Sequence, residues 1–186
     1  MATWSSRGLR GSHLEDLINL ANERYRHQGL GLIQKIPTPI TPINIEKDTR
    51  HITLAYFDQK STVDYIGVIQ SVPVCFDAKE CRTDRFPLQN VHQHQMDFMA
   101  DFEKQGGVAF LLIFYAEREE FYYLPFRRLI NYWHRKEQGG RKSMTFDEVV
   151  RDSYQVSAGQ SGVQLHYLPA LQEDLDDRDQ EDLDGK

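Results

Sequence analysis

The eight residues Val108-Ala109-Phe110-Leu111-Leu112-Ile113-Phe114-Tyr115 are apolar without a break. Such a run is too short to span a membrane and too continuous for a half-solvated strand, so it reads as a strand buried on both faces. A strand of that kind needs a covering layer on each side, which restricts the chain to a layered fold. The flanking patterns supply the layers. Leu14, Leu17, Ile18, Ala21 and Tyr25 recur at helical spacing over residues 12–28, with Ser12 and Glu15 set as a capping box and Gly29 as the stop. Leu88, Val91, His92, Gln95, Met99 and Phe102 mark one face of a second helix that ends before Gly106-Gly107. Pro125 opens a third, which carries Leu129, Ile130 and Trp133 towards Gly139-Gly140. Thr145 with Glu148 repeats the capping-box spacing before a brief last helix.

Segments rich in β-branched and aromatic residues at 30–36, 52–57, 63–69, 72–79, 120–124 and 163–168 read as further strands, with 63–69 and 72–79 forming a hairpin. This order predicts an α/β fold with a mixed central sheet flanked by helices. Pro37, Pro39 and Pro42 interrupt it. Prolines donate no backbone hydrogen bond and favour extended chain, so residues 35–56 form an exposed linker or a projecting stalk, with 52–57 as its return leg.

Charge divides the chain unevenly. The 186 residues carry a formal charge of −6, yet eight acids stand against only Arg178 and Lys186 between positions 171 and 186. The body is therefore neutral. The like-charged tail at 171–186 reads as disordered, after a single domain at 11–170 and a flexible leader at 1–10. Cys75 and Cys81 offer neither a disulfide framework nor a four-ligand zinc pattern. With no apolar run near the ~18 residues of a membrane span, the expectation is a cytoplasmic protein without membrane attachment.

The residues that could carry chemistry lie on the predicted hairpin. Asp77 and Lys79 are two apart in a strand and emerge on one face, and an antiparallel neighbour sets Asp64 beside them. Two carboxylates held together repel unless a divalent cation lies between them, and Mg²⁺ is commonly held by one or two carboxylates with water and phosphate. The same spacing also arises as surface ion pairs at strand ends. Here the flanks Val74-Cys75-Phe76 and Ile66-Gly67-Val68 are apolar, so the charges begin where a buried strand ends. His92 and His94, at i and i+2, read as a packed and an exposed histidine respectively. Arg127, Arg128, Arg135, Lys136, Arg141 and Lys142, interleaved with Tyr132 and Trp133, form a basic cluster suited to a phosphate backbone or to a solvated helix face. Arg7, Arg10, Arg24 and Arg26 make a second basic region.

Six ordered segments carry a resemblance across residues 11–168. They are Leu14-Glu15 through Asn22-Glu23-Arg24-Tyr25, Ile36-Pro37-Thr38-Pro39-Ile40, Ser61-Thr62-Val63-Asp64-Tyr65-Ile66-Gly67, Phe76-Asp77-Ala78-Lys79-Glu80, Phe86-Pro87-Leu88-Gln89-Asn90 with His94-Gln95, and Gly139-Gly140-Arg141-Lys142-Ser143. In order and spacing the chain resembles the RecU family of Holliday junction resolvases. The resemblance implies a restriction-endonuclease-like fold and a Mg²⁺-dependent homodimeric endonuclease, with Mn²⁺ as the alternative ion. It also implies nicking of four-way DNA junctions in recombination and repair, alongside recombinase or branch-migration proteins. It makes Thr62, Asp64, Asp77 and Gln95 the metal residues and Lys79 the transition-state stabiliser, and it matches Glu15 to a family position. Lys35, Lys47 and Arg50 would serve on a stalk that enters the junction, and Arg127 to Lys142 would contact DNA. The family's usual residue at position 77 is Glu, one methylene longer than the Asp found here. Two rival readings are a nuclease of the same fold acting on linear or damaged duplex, and a non-cleaving DNA-binding or recombinase-regulating module.

Overall fold

A computed structural model describes residues 13–57, 62–157 and 165–184. Among these, six strands form one sheet: β1 (Gly31–Lys35), β4 (Tyr65–Ile69), β5 (Val72–Cys81), β7 (Val108–Tyr115), β8 (Glu120–Pro125) and β10 (Tyr154–Val156), in that spatial order. All neighbours are antiparallel except β5 and β7, which run parallel because α2 (Gln93–Lys104) carries the chain across between them. The eight apolar residues of β7 are all buried, and strand alternation splits them. Val108, Phe110, Leu112 and Phe114 enter the core beneath α1 (His13–His27) and α5 (Leu168–Asp184). Ala109, Leu111, Ile113 and Tyr115 enter the second core, beneath α2, α3 (Phe126–Glu137) and α4 (Phe146–Asp152). Across the first face Tyr65, Phe76, Phe110 and Tyr123 stack in one row, with centroid separations of 4.8, 4.6 and 4.1 Å. Burying such rings adds roughly 0.5–1.5 kcal/mol per pair beyond area alone, which fixes the register of β4, β5, β7 and β8.

The proline segment is an arm. Among the described residues β2 (Ile40–Ile45) and β3 (Ile52–Phe57) pair only with each other, and Ile43, Ile45, Leu54, Tyr56 and Phe57 are all more than half exposed. The arm leaves the sheet at Ile36 and returns at Asp64, where the Ile36 amide donates to the Asp64 carbonyl at 2.8 Å.

Three expectations are corrected. The second helix does not begin at Leu88: residues Leu88–Asn90 form a 3₁₀ turn, Val91 and His92 are extended, and α2 starts at Gln93. A short pair, β6 (Arg85–Pro87) with β9 (Ser143–Thr145), anchors that turn, and the Leu88 amide donates to the Lys142 carbonyl. The sheet closes on β10 rather than at 163–168, where Leu168 starts α5 and positions 163–164 lie outside the described residues. The acidic tail is no disordered appendage: Leu168–Asp184 is a helix whose Ala170, Leu171 and Asp174 are buried. Summed charge argued against order there, but one stripe of α5 carries its acids onto bases of the body. The leader and the Ser12 cap lie outside the described residues.

Candidate active site

Register builds the site. Tyr65 of β4 pairs with Phe76 of β5, so the residue before β4 meets the residue after Phe76, and these are Asp64 and Asp77. The Asp64 amide donates to Asp77 Oδ1 at 3.0 Å, and the Ala78 amide donates to Asp64 Oδ2 at 2.9 Å. Each carboxylate thus caps the other's backbone. Asp77 is fully buried, and its Oδ2 takes two further donors: Lys79 Nζ, from the same face of β5, and Gln95 Nε2 at 2.9 Å from the first turn of α2. Gln95 is held in turn, because its Oε1 accepts from the His92 amide at 3.0 Å. Rotating the amide by half a turn would set oxygen against Asp77 and nitrogen against an N–H, so its orientation is fixed from both ends. Asp64, Asp77, Lys79 and Gln95 are therefore brought together as expected. Thr62 is half-buried two residues before Asp64, and both precede β4, so strand alternation does not bring Thr62 to the face of Asp64.

Charge at the site is unbalanced. Burial, followed by the neighbouring Asp77 carboxylate, raises the Asp64 carboxyl to about 6. One lysine faces two acids. A buried carboxylate pair with hard oxygen donors and a single counter-charge fits a divalent cation of the kind that keeps several waters and uses few protein ligands. Among the described residues no cluster of three or more His, Cys, Asp or Glu gathers, so a soft or all-protein metal cage has no donors here.

Other candidate residues separate. Lys35 pairs with Glu15 at 2.9 Å. Arg127 and Arg128, at the start of α3, face the β10 edge, three strand spacings or about 14 Å from β5. There Arg127 bonds Asp174 and Glu181, and Arg128 bonds Asp177. Arg135 is held by Glu148 and the Ser143 carbonyl, and Lys136 lies over the Trp133 ring at 3.4 Å. Gly139, at φ +82°, ends α3, and the Gly140 amide returns to the Arg135 carbonyl. That turn leads Arg141 and Lys142, both exposed, to the 3₁₀ turn before α2, the end from which Gln95 reaches Asp77. His92 is exposed and His94 half-buried, the reverse of the expectation, and their rings stack at 5.4 Å. The helical i, i+2 argument fails because His92 is extended at φ −90° and ψ 153°.

The reading by composition missed the ion pairs of α5. Their signal was present: Asp174, Asp177, Arg178 and Glu181 stand at i, i+3, i+4 and i+7 on one helical stripe. No helix among the described residues is long and apolar enough to cross a membrane.

A family model described as recombination protein U, RecU, matches residues 9–173. The chain is 37% identical over 174 residues to the Holliday junction resolvase RecU of Levilactobacillus brevis, covering 91% of this chain and 86% of that one. It is 39% identical over 173 residues to the Holliday junction resolvase RecU of Leuconostoc mesenteroides subsp. mesenteroides, covering 91% and 83%. A solved structure of Hjc, a Holliday junction resolvase of Archaeoglobus fulgidus, aligns with a TM-score of 0.46 at 8% identity over 78% of this chain and 95% of that one.

Proposed function

The chain belongs to the RecU family of Holliday junction resolvases, and from that premise we propose how its residues divide the work of cutting a four-way DNA junction. It is an endonuclease that hydrolyses phosphodiesters of the junction. The observation that carries the division of labour is the interlocked pair Asp64 and Asp77 with Lys79 on the same strand face. Asp64 and Asp77 would hold a divalent ion, Mg²⁺ by the donor set, with Thr62 contributing as the family pattern implies and Gln95, whose amide nitrogen faces Asp77, acting through that carboxylate. When bound, a divalent cation would supply Lewis-acid polarisation of the phosphoryl oxygen and a bound water more acidic than bulk water. Lys79 offers its ammonium to the charge that develops on the scissile phosphate. Gln95 positions Asp77 through its Nε2 and is itself fixed by the His92 amide. A second, dry function is served by the hydrogen bonds between the two carboxylates and the backbone, which hold both groups before substrate arrives and so reduce the reorganisation needed on binding.

A homodimer suits this chemistry, because a four-way junction presents two equivalent strands and a two-fold assembly sets one site on each. The exposed apolar ribbon of β2 and β3 supports it: a lone two-stranded hairpin is marginal in water, and a second copy would bury its isoleucines. Exposed Arg141 and Lys142, beside the α2 end of the site, serve the DNA backbone in this reading.

The test is a junction with both opposing strands labelled, set against a matched linear duplex at one salt concentration with Mg²⁺. The expected result is coupled nicks on opposing strands of the junction and little on the duplex. Asp77→Asn abolishes nicking and leaves junction binding nearly intact. Equal loss of binding and nicking, or equal cutting of both substrates, overturns the assignment.

A further inference from the structure

Three observations meet at the β10 edge. First, Arg128, Asn131, Tyr132 and Arg135 form one stripe of α3 at i, i+3, i+4 and i+7, and with Arg151 of α4 they line a groove of about 480 Å³. Within the groove Glu148 answers Arg135 and Asp152 answers Arg151, so Arg128 takes its carboxylate from outside the lining. Second, α5 bonds the first turn of α3: Asp177 accepts from Arg128, which lines the groove, at 2.8 Å and from the Tyr154 hydroxyl at 2.6 Å, and Glu181 accepts from the neighbouring Arg127 at 2.6 Å. Third, α5 changes character along its length. Asp174 is fully buried and bonded to Tyr123 and Arg127, whereas the side chains of Asp177 and Glu181 are 47% and 63% exposed. The near half is core. Beyond it Arg178 still ties the helix to Glu103, while Asp177 and Glu181 make the partly solvent-screened ion pairs, of the kind that is easily exchanged. Asp174, Asp177 and Glu181 all lie beyond residue 173, where the match to the family model ends.

We propose that the outer half of α5 is a built-in surrogate for DNA phosphates, in which Asp177 and Glu181 occupy Arg127 and Arg128 until a junction arm enters the groove between α3 and α4. The inference rests on the resolvase reading above. Its physical content is an exchange: the two guanidiniums give up carboxylates of their own chain for phosphates, and Asp174 keeps the helix attached meanwhile. The clasp therefore weakens binding to any DNA that cannot fill the groove. It penalises short or single contacts more than a full four-way junction. The basic face beneath it is hidden from non-specific duplex, where affinity comes almost wholly from phosphate contacts.

The experiment measures binding of a four-way junction across a salt series with divalent ions chelated. It compares the wild-type chain with Asp177→Asn/Glu181→Gln and with Asp176→Asn/Asp179→Asn. The last pair removes the same two charges from exposed positions of the same helix, and among the described residues neither acid bonds to Arg127 or Arg128. The clasp variant is expected to bind roughly three- to tenfold tighter at low salt, with a logarithmic salt slope steeper by about one to two, as each added phosphate contact dictates. The control pair stays within twofold of wild type. If the control tightens as much as the clasp variant, or the clasp variant matches wild type in affinity and slope, the proposal is overturned. Glu181→Gln alone, altering one exposed carboxylate, gives the same readout in half measure if the double variant melts poorly. A wild-type chain that neither binds nor nicks the junction overturns the resolvase reading itself, which is a different result from a wild type that nicks normally and a clasp variant that does not tighten.

Discussion

Asp64 is the residue at which stability and the proposed chemistry conflict. Its folded pKa of about 6 lies above the ordinary 3.8, so folding favours the protonated form. The stabilising contribution of that proton is complete below about pH 4 and is lost as pH rises through 6. In chelator at pH 8, Asp64→Asn should therefore raise folding stability by about 1–3 kcal/mol while abolishing nicking. Denaturant melts at pH 8 and pH 4 check this, since the two proteins should converge at the lower pH. In the proposed reading, the site carries this cost when its cation is absent. Part of the site was legible in advance: spacing and apolar flanks singled out Asp64, Asp77 and Lys79 against the rival of surface ion pairs, and the family resemblance supplied their roles. The part that was not legible is orientation. No pattern of residue types says that Gln95 turns its nitrogen to Asp77, since that depends on the extended backbone of His92 offering an N–H to its oxygen. The histidine pair was misassigned for the same reason.

At the scale of elements, β4 is the hinge of the design, and Gly67 is its tightest point. A Cβ there would stand 2.3 Å from the Leu32 carbonyl oxygen and 2.6 Å from the Ile33 Cα, both backbone atoms of β1. Neither can move without unzipping β1 from β4. Gly67→Ala should cost about 1–3 kcal/mol, in the manner of an overpacked core. Hydrogen exchange should show the loss concentrated in Gly31–Lys35 and Tyr65–Ile69, with β7 protected as before. Long elements with a strong period, such as β7, α1 and α3, were readable because many residues vote for them. The three-residue strands β6 and β9 were not, since a segment that short carries no period and exists only through its partner. Pro87 and the extended Val91 broke a helix that the apolar spacing alone had joined.

Considered as one body, the molecule is not a neutral domain with an acidic appendage. Removing residues 171–186 takes away Leu171, buried in the first core, and Asp174, which Tyr123 and Arg127 require. Deletion of a buried leucine costs about 2–5 kcal/mol and each orphaned polar group about 1–3. The truncated chain should melt roughly 10–20 °C lower, a shift that calorimetry reads directly. A tail expected to be dispensable for folding is thus a supporting helix. Counting charges concealed this, because a sum has no direction and a helix does.

The hydrogen bond between Ile36 and Asp64 closes a neck from which the whole arm hangs. Entropy makes such a neck permissive: once the two ends are pinned, doubling the length of the excursion adds only about 0.6 kcal/mol to the closure cost. Length is therefore cheap at the neck, so the cost of closing it scarcely constrains how far the arm extends from the sheet that bears the carboxylates. What is not free is the root, because the last residue of the excursion is Asp64. An arm whose length costs little is mounted directly on the chemistry it serves.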